Sequence, residues 1–293
     1  MNLAELLRQV RLLEIVTRDL VKDVLAGGYT SVFRGRGLEF SEVRDYRPGD
    51  DIRSIDWNVT ARMGAPYVKR YVEERELTVL FLVDHSSSEI FGTRVRTKAE
   101  LAAEVCAALA MTAVKSNDRV GIALFTDRVE KFIPPQKGKT HVRRVIRELL
   151  SFEPAGAGTD LRAALEFVNR VQRRRAVLFI VSDFVAPPYR PALRVAARRH
   201  DTIAIQLVDP RERELPDVGL VTLREAETGR WMYADTSAPG VREAFRRRAR
   251  AFDQELAQSF RQNGVELIRL ETDRSWVGPL LAFFRRREQA LRH

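Results

Sequence analysis

One cysteine, Cys106, stands among the 293 residues, so no disulfide can close within the chain. It falls on the apolar face of a predicted helix and reads as a buried, inert thiol. Histidine is scarce as well. His85, His141, His200 and His293 are scattered, and their spacing supports neither a zinc site nor a nucleophile–base triad. No apolar run reaches the ~18 residues that suggest a membrane span. The longest candidate, Leu101 to Val114, is interrupted by Glu104. The N-terminus carries Glu5 and Glu14 and lacks a small-residue cleavage pattern, so no signal peptide is expected and a cytoplasmic protein is the simplest reading. Nucleotide-binding loops are missing too. Gly138-Lys139-Thr140 looks like the end of a phosphate loop, but the glycine required five residues before Gly138 is Ile133. Gly35-Arg36-Gly37 opens a dinucleotide fingerprint whose third glycine is replaced by Phe40. A Gly-x-Ser-x-Gly elbow is absent.

What is present is enough apolar sequence for a real core: hydrophobic residues make up 45% of the chain. The net charge is +10, from 50 Lys+Arg against 40 Asp+Glu, which suits an acidic partner without specifying its kind. Arginine clusters at Arg173–Arg175, Arg246–Arg248 and Arg285–Arg287 lie in or beside predicted helices and read as solvated faces.

Along the chain, residues 2–25 read as a helix. Its heptad stripe is Leu3, Leu6, Val10, Leu13, Thr17, Leu20 and Val24, and Gly27-Gly28 ends it. Residues 29–76 hold many charges and turn signals, with short alternating runs such as Tyr67–Val72, and read as an irregular β-rich arm. In the arm, Tyr46, Ile55 and Trp57 are expected to anchor it, and its arginines to pair with its aspartates as a salt-bridged tether. From Leu77 onward, apolar strands alternate with helices. Strands are predicted at 77–83, 119–125, 176–182, 202–208 and 265–270, with a hairpin partner at 128–133. Helices are predicted at 96–116, 139–150, 160–172, 188–199, 240–262 and 276–290. This rhythm implies an α/β fold, a Rossmann-like, mostly parallel sheet with helices on both faces. Residues 218–235 break it with a hairpin around Glu227-Thr228-Gly229. The organisation expected is an N-terminal helix and arm over 1–76, the α/β domain over 77–273 and a C-terminal helix over 274–293.

Asp84-His85-Ser86-Ser87-Ser88 follows the first strand of that domain at once. Thr159 opens a helix after the loop Ala155-Gly156-Ala157-Gly158, and Asp183 follows the apolar run Ala176–Val181. In an open parallel sheet these positions share the carboxyl edge, where ligands bind. Alternation places Asp84, Ser86 and Ser88 on one side and turns His85 and Ser87 away. Carboxylate and hydroxyl oxygens of this kind suit a hard divalent cation, Mg²⁺ first and Mn²⁺ or Ca²⁺ as alternatives. An acidic residue from another protein would then complete the shell.

Asp84-x-Ser86-x-Ser88 with Thr159 and Asp183 resembles the metal-ion-dependent adhesion site of von Willebrand factor A-type domains, over about residues 77–273. The resemblance implies that the hydroxyls of Ser86, Ser88 and Thr159 and the two aspartates hold the metal, directly or through water. A second stretch, Arg44-Asp45-Tyr46-Arg47-Pro48-Gly49-Asp50-Asp51 followed by Arg53-Ser54-Ile55-Asp56-Trp57, resembles the signature of a bacterial family catalogued as domain of unknown function fifty-eight. Members of that family are commonly encoded beside MoxR-type AAA+ ATPases. The resemblance therefore implies an adaptor in an ATPase-driven chaperone or maturation system; no catalytic residue is assigned in this sequence.

Two rival readings follow from the same residues. A phosphotransferase would use Asp84 as its nucleophile. It would need a second acid two residues on, where Ser86 stands. A nucleic-acid binder would use the net positive charge, but the chain shows neither basic residues interleaved with aromatics nor a recognisable module.

Overall fold

A computed structural model describes residues 29, 32, 33, 39–72, 76–90, 95–156, 158–224 and 230–292. The helix expected over residues 2–25 lies outside them. In chain order, β1 (Glu39–Asp45), α1 (Trp57–Met63) and β2 (Tyr67–Val72) form the arm, with β1 and β2 antiparallel. Then come β3 (Thr78–Asp84), α2 (Lys98–Lys115), β4 (Arg119–Phe125) and β5 (Val129–Gln136). Next are α3 (Lys139–Ser151), α4 (Leu161–Val171), β6 (Val177–Ser182), α5 (Arg190–Arg199) and β7 (Asp201–Val208). The hairpin β8 (Leu220–Arg224) and β9 (Trp231–Asp235) precedes α6 (Pro239–Gln262), β10 (Glu266–Glu271) and α7 (Val277–Arg292).

Six strands make the central sheet in the order β10-β7-β6-β3-β4-β5, parallel except where β5 folds back on β4. The middle strands are apolar throughout because both of their faces are covered. Val79, Phe81 and Val83 of β3 point into the layer of α2, α3 and α7. Leu80 and Leu82 point into the layer of α4, α5 and α6. This is the sandwich of helix, sheet and helix that the alternation of elements predicted.

Helix α2 is covered on nearly every side, from Leu101 and Ala102 to Ala113. Its start is fixed by a reciprocal capping box between Thr97 and Glu100. Helix α7 closes the first layer by burying Trp276, Leu280, Phe283 and Phe284 in the same cluster as the strands. The Trp276 indole N–H donates to Glu104 on α2. Arg287 departs from the expectation for its cluster, while Arg285 and Arg286 are exposed as expected. Its guanidinium pairs with Asp201 at 2.6 Å and Glu266 at 2.7 Å, and it lies over the rings of Phe33 and Phe283. A planar cation with five donors can serve both acids and both rings, which makes this position a clamp and not a solvated face.

The arm differs from expectation in two ways. It contains a helix, α1, opened by the Asp56 carboxylate accepting from the N–H groups of Asn58 and Val59 and stopped by Gly64 in the left-handed region. Seven residues are too few for periodicity to betray it. Trp57 is 66% exposed, so it does not anchor the arm; as the first residue of α1 its side chain is turned to solvent. The salt-bridged tether is seen at Arg44, which donates twice to Asp50 at 2.7 and 2.8 Å. Hairpin β8–β9 likewise stands out from the body, with Leu220, Trp231, Met232 and Tyr233 exposed.

Candidate metal centre

Strand order places the site. From β3 the chain moves one way to β4 through α2, and it later returns to lay β6 on the other flank of β3. Adjacent strands whose connections leave in opposite directions open a crevice at their carboxyl ends. Asp84 is the last residue of β3, and Asp183 follows the last residue of β6.

Both are buried, at 1% and 4% exposure. Asp84 Oδ1 accepts from the Ser86 N–H at 2.9 Å, and Oδ2 accepts from the Ser182 hydroxyl at 2.7 Å. The Ser86 and Ser88 hydroxyls lie 3.0 Å apart, brought together by the 3₁₀ turn Ser87–Ile90 and not by strand alternation. His85 turns away, buried edge-on against Phe152. Asp183 Oδ1 accepts from the Val185 N–H at 2.9 Å. Between them Phe184 adopts φ 63°, a left-handed conformation that costs a bulky residue on the order of 1 kcal/mol. Core packing of its ring against Phe260 holds it there. Thr159 is buried one residue before Asp160, the N-cap of α4. The Asp160 N–H donates to Thr126 just past β4, which ties this loop to the same carboxyl edge.

Three further charged groups enter the crevice. Glu89, on the 3₁₀ turn Ser87–Ile90, is 1% exposed, and its Oε1 accepts from the Asp183 N–H at 3.2 Å. Lys98, the first residue of α2, is fully buried and donates to Asp183 at 2.7 Å and to Glu212 at 2.6 Å. Glu212 belongs to the short turn after β7, capped reciprocally with Asp209. Asp84, Glu89 and Asp183 each offer an oxygen, and the three lie within 4.8 Å of one another. Oxygens on one octahedral shell of radius ~2.1 Å stand ~3.0 Å apart when adjacent and ~4.2 Å when opposite. The 4.8 Å bound on the spacing lies a little above that span, so a small inward movement of the side chains closes the three on one small cation.

Electrostatics favour a cation here. Burial, and then the neighbouring Asp183 carboxylate, push the Asp84 pKa up to about 6 against its hydrogen bonds. Glu89 is driven well above the ordinary range by burial, with Asp183, Asp84 and Glu212 adding to the effect and Lys98 opposing it. Burial works against the charge of Lys98, yet Asp183, Glu89 and Glu212 outweigh it and raise its pKa. Four carboxyl groups face one ammonium, so positive charge, as a proton or as a cation, is drawn to the group.

The family model described as "Protein of unknown function DUF58" matches residues 42–255. The chain belongs to this family. An uncharacterised protein of Mycobacterium tuberculosis is 36% identical over 279 residues, covering 94% of this chain and 87% of its own length. Among solved structures, an aerotolerance-related membrane protein from Bacteroides fragilis is similar at a TM-score of 0.49 and 17% identity, over 73% of this chain and 99% of that one. The SpRpn10 VWA domain is similar at a TM-score of 0.37 and 12% identity, over 71% of this chain and 94% of that one.

In this DUF58 chain the sequence reading missed Glu89, Lys98 and Glu212. Each left a signal. Glu89 directly follows Asp84-x-Ser86-x-Ser88. Lys98 stands on the apolar stripe of α2, four residues before Ala102 and seven before Val105, where a solvated lysine does not belong. Glu212 lies beyond the end of a buried strand, at the same edge as Asp84 and Asp183.

Proposed function

We propose that the chain is a metal-dependent protein-interaction module that works as an adaptor for a MoxR-type AAA+ ATPase in maturation or assembly of other proteins. The observation that carries this reading is the trio of buried carboxylate oxygens within 4.8 Å at the switch point of the sheet. The donor set is all oxygen, which suits Mg²⁺ and also Mn²⁺ or Ca²⁺. Asp84 and Asp183 supply charge, while Ser86, Ser88 and Thr159 supply hydroxyl dipoles. When bound, the ion offers an electrophilic position to a carboxylate from a partner, an association that breaks no covalent bond. The role is one of binding and not of catalysis. Ser86 occupies the position where a phosphotransferase would carry its second acid.

Thermal melting tests the site. Mg²⁺ or Mn²⁺ is expected to raise the Tm of the native chain and to leave that of Asp84→Ala/Asp183→Ala unchanged. Equal shifts in both proteins would remove the site from the argument. Affinity capture from the host with and without EDTA tests the partner. An AAA+ ATPase retained only in the presence of the divalent ion is the expected result.

A further inference from the structure

Glu89 is the residue of the crevice that its hydrogen bonds leave unexplained. One of its oxygens, Oε1, accepts from the Asp183 N–H. The other, Oε2, is buried without a hydrogen-bond partner. A carboxylate oxygen sealed from water without a partner costs free energy on the scale of a lost charged hydrogen bond. The ammonium of Lys98 does not meet this need, because its hydrogen bonds go to Asp183 and Glu212. Meanwhile the Glu89 carboxylate lies in one group with those of Asp84 and Asp183. A cation in that group satisfies all three at once.

We infer that Glu89 is the chain's own ligand to the divalent ion, holding the coordination position that an acidic partner takes, and that the partner displaces it on docking. This rests on the metal reading above. Charge explains why the event is an exchange and not an addition. Asp84, Glu89 and Asp183 around a divalent ion already leave one excess negative charge, and Lys98 with Glu212 contributes none. A fourth carboxylate entering beside the other three meets like charges in a poorly screened interior. Exchange for Glu89 leaves the charge of the ion's own shell unaltered, with the displaced carboxylate carried toward solvent on its turn. Burial points the same way. Asp84, Ser86, Glu89 and Asp183 are all sealed, whereas Ser87 and Ser88, on the same turn as Glu89, are half-exposed. The turn thus faces solvent through its serines, and Glu89 is the group that it carries inward.

The test uses the full chain with Mn²⁺ as the probe metal and acetate as the probe carboxylate. Free Mn²⁺ is read by electron paramagnetic resonance, and water on the bound ion by water-proton relaxation. Glu89→Gln is expected to bind Mn²⁺ at least about tenfold more weakly. Its bound ion should carry one more water than in the native chain, and acetate should displace that water at lower concentration than in the native chain. Native affinity, native hydration and native acetate response in Glu89→Gln would overturn the inference while leaving the metal site in place. Failure of the native chain itself to bind Mn²⁺, with Asp84→Ala as the reference for no site, would overturn both. A melt in EDTA reports folding of each variant. Should Glu89→Gln not fold, Glu89→Asp withdraws the oxygen by one methylene while keeping the charge, and the same extra water is expected.

Discussion

At the scale of single residues, the crevice costs the fold stability. Asp84 is the clearest case. Its folded pKa of about 6 lies above that of an unfolded aspartate. The folded chain therefore holds this proton more tightly than the unfolded one, and stability contributed by the group is lost as pH rises from about 4 through about 6. Above that window the cost is about 3 kcal/mol. Asn at this position keeps an oxygen for the Ser86 N–H and offers an amide donor to the Ser182 hydroxyl. In EDTA at pH 7.5, Asp84→Asn is expected to stabilise the chain by about 1–2 kcal/mol in urea denaturation, below the full cost because the geometry of the amide is imperfect. The gain should shrink toward zero as the pH approaches 4. The legibility of these residues follows from the same physics. Asp84, Ser86, Ser88 and Asp183 sit where strands end, and strand ends are readable from apolar runs. Glu89, Lys98 and Glu212 come together through tertiary packing of a short turn, a helix start and another turn, and no local pattern encodes their meeting.

Among the elements, α7 shows how a charged helix is docked. Its apolar side chains enter the core, while Arg287 reaches across to Asp201 at the start of β7 and Glu266 at the start of β10. Arg287→Ala removes both partners' cation and the stacking over Phe33 and Phe283. We expect a loss of about 2–3 kcal/mol in the denaturation midpoint analysis, with Arg287→Lys intermediate because it keeps the charge and loses the fork. A cluster of three consecutive arginines gives no hint of which one turns inward, since the answer depends on where α7 lies over the sheet. The strands and long helices were legible for the opposite reason. Their boundaries follow from unbroken apolar runs, and β4 (Arg119–Phe125) is bounded as predicted. Helix α1 was hidden because the seven residues between its caps carry no period.

For the whole molecule, part of the positive charge is paired locally. Arg213 pairs with Asp253, Arg242 with Asp217, and Arg246 with Glu214 and Glu243. The sequence offers neither basic residues interleaved with aromatics nor a recognisable nucleic-acid module. An anisotropy titration with duplex DNA between about 50 and 200 mM salt should accordingly show no steep salt-dependent association. The fold class was legible at this scale because element alternation and the switch point are consequences of chain order.

The chain also carries its own optical reporter. Of its three indoles, those of Trp57 and Trp231 face water, while that of Trp276 is sealed at the start of α7 and bonded to Glu104. Blue-shifted emission from the native protein therefore arises from Trp276, and its shift to the red follows the departure of a single helix from the sheet.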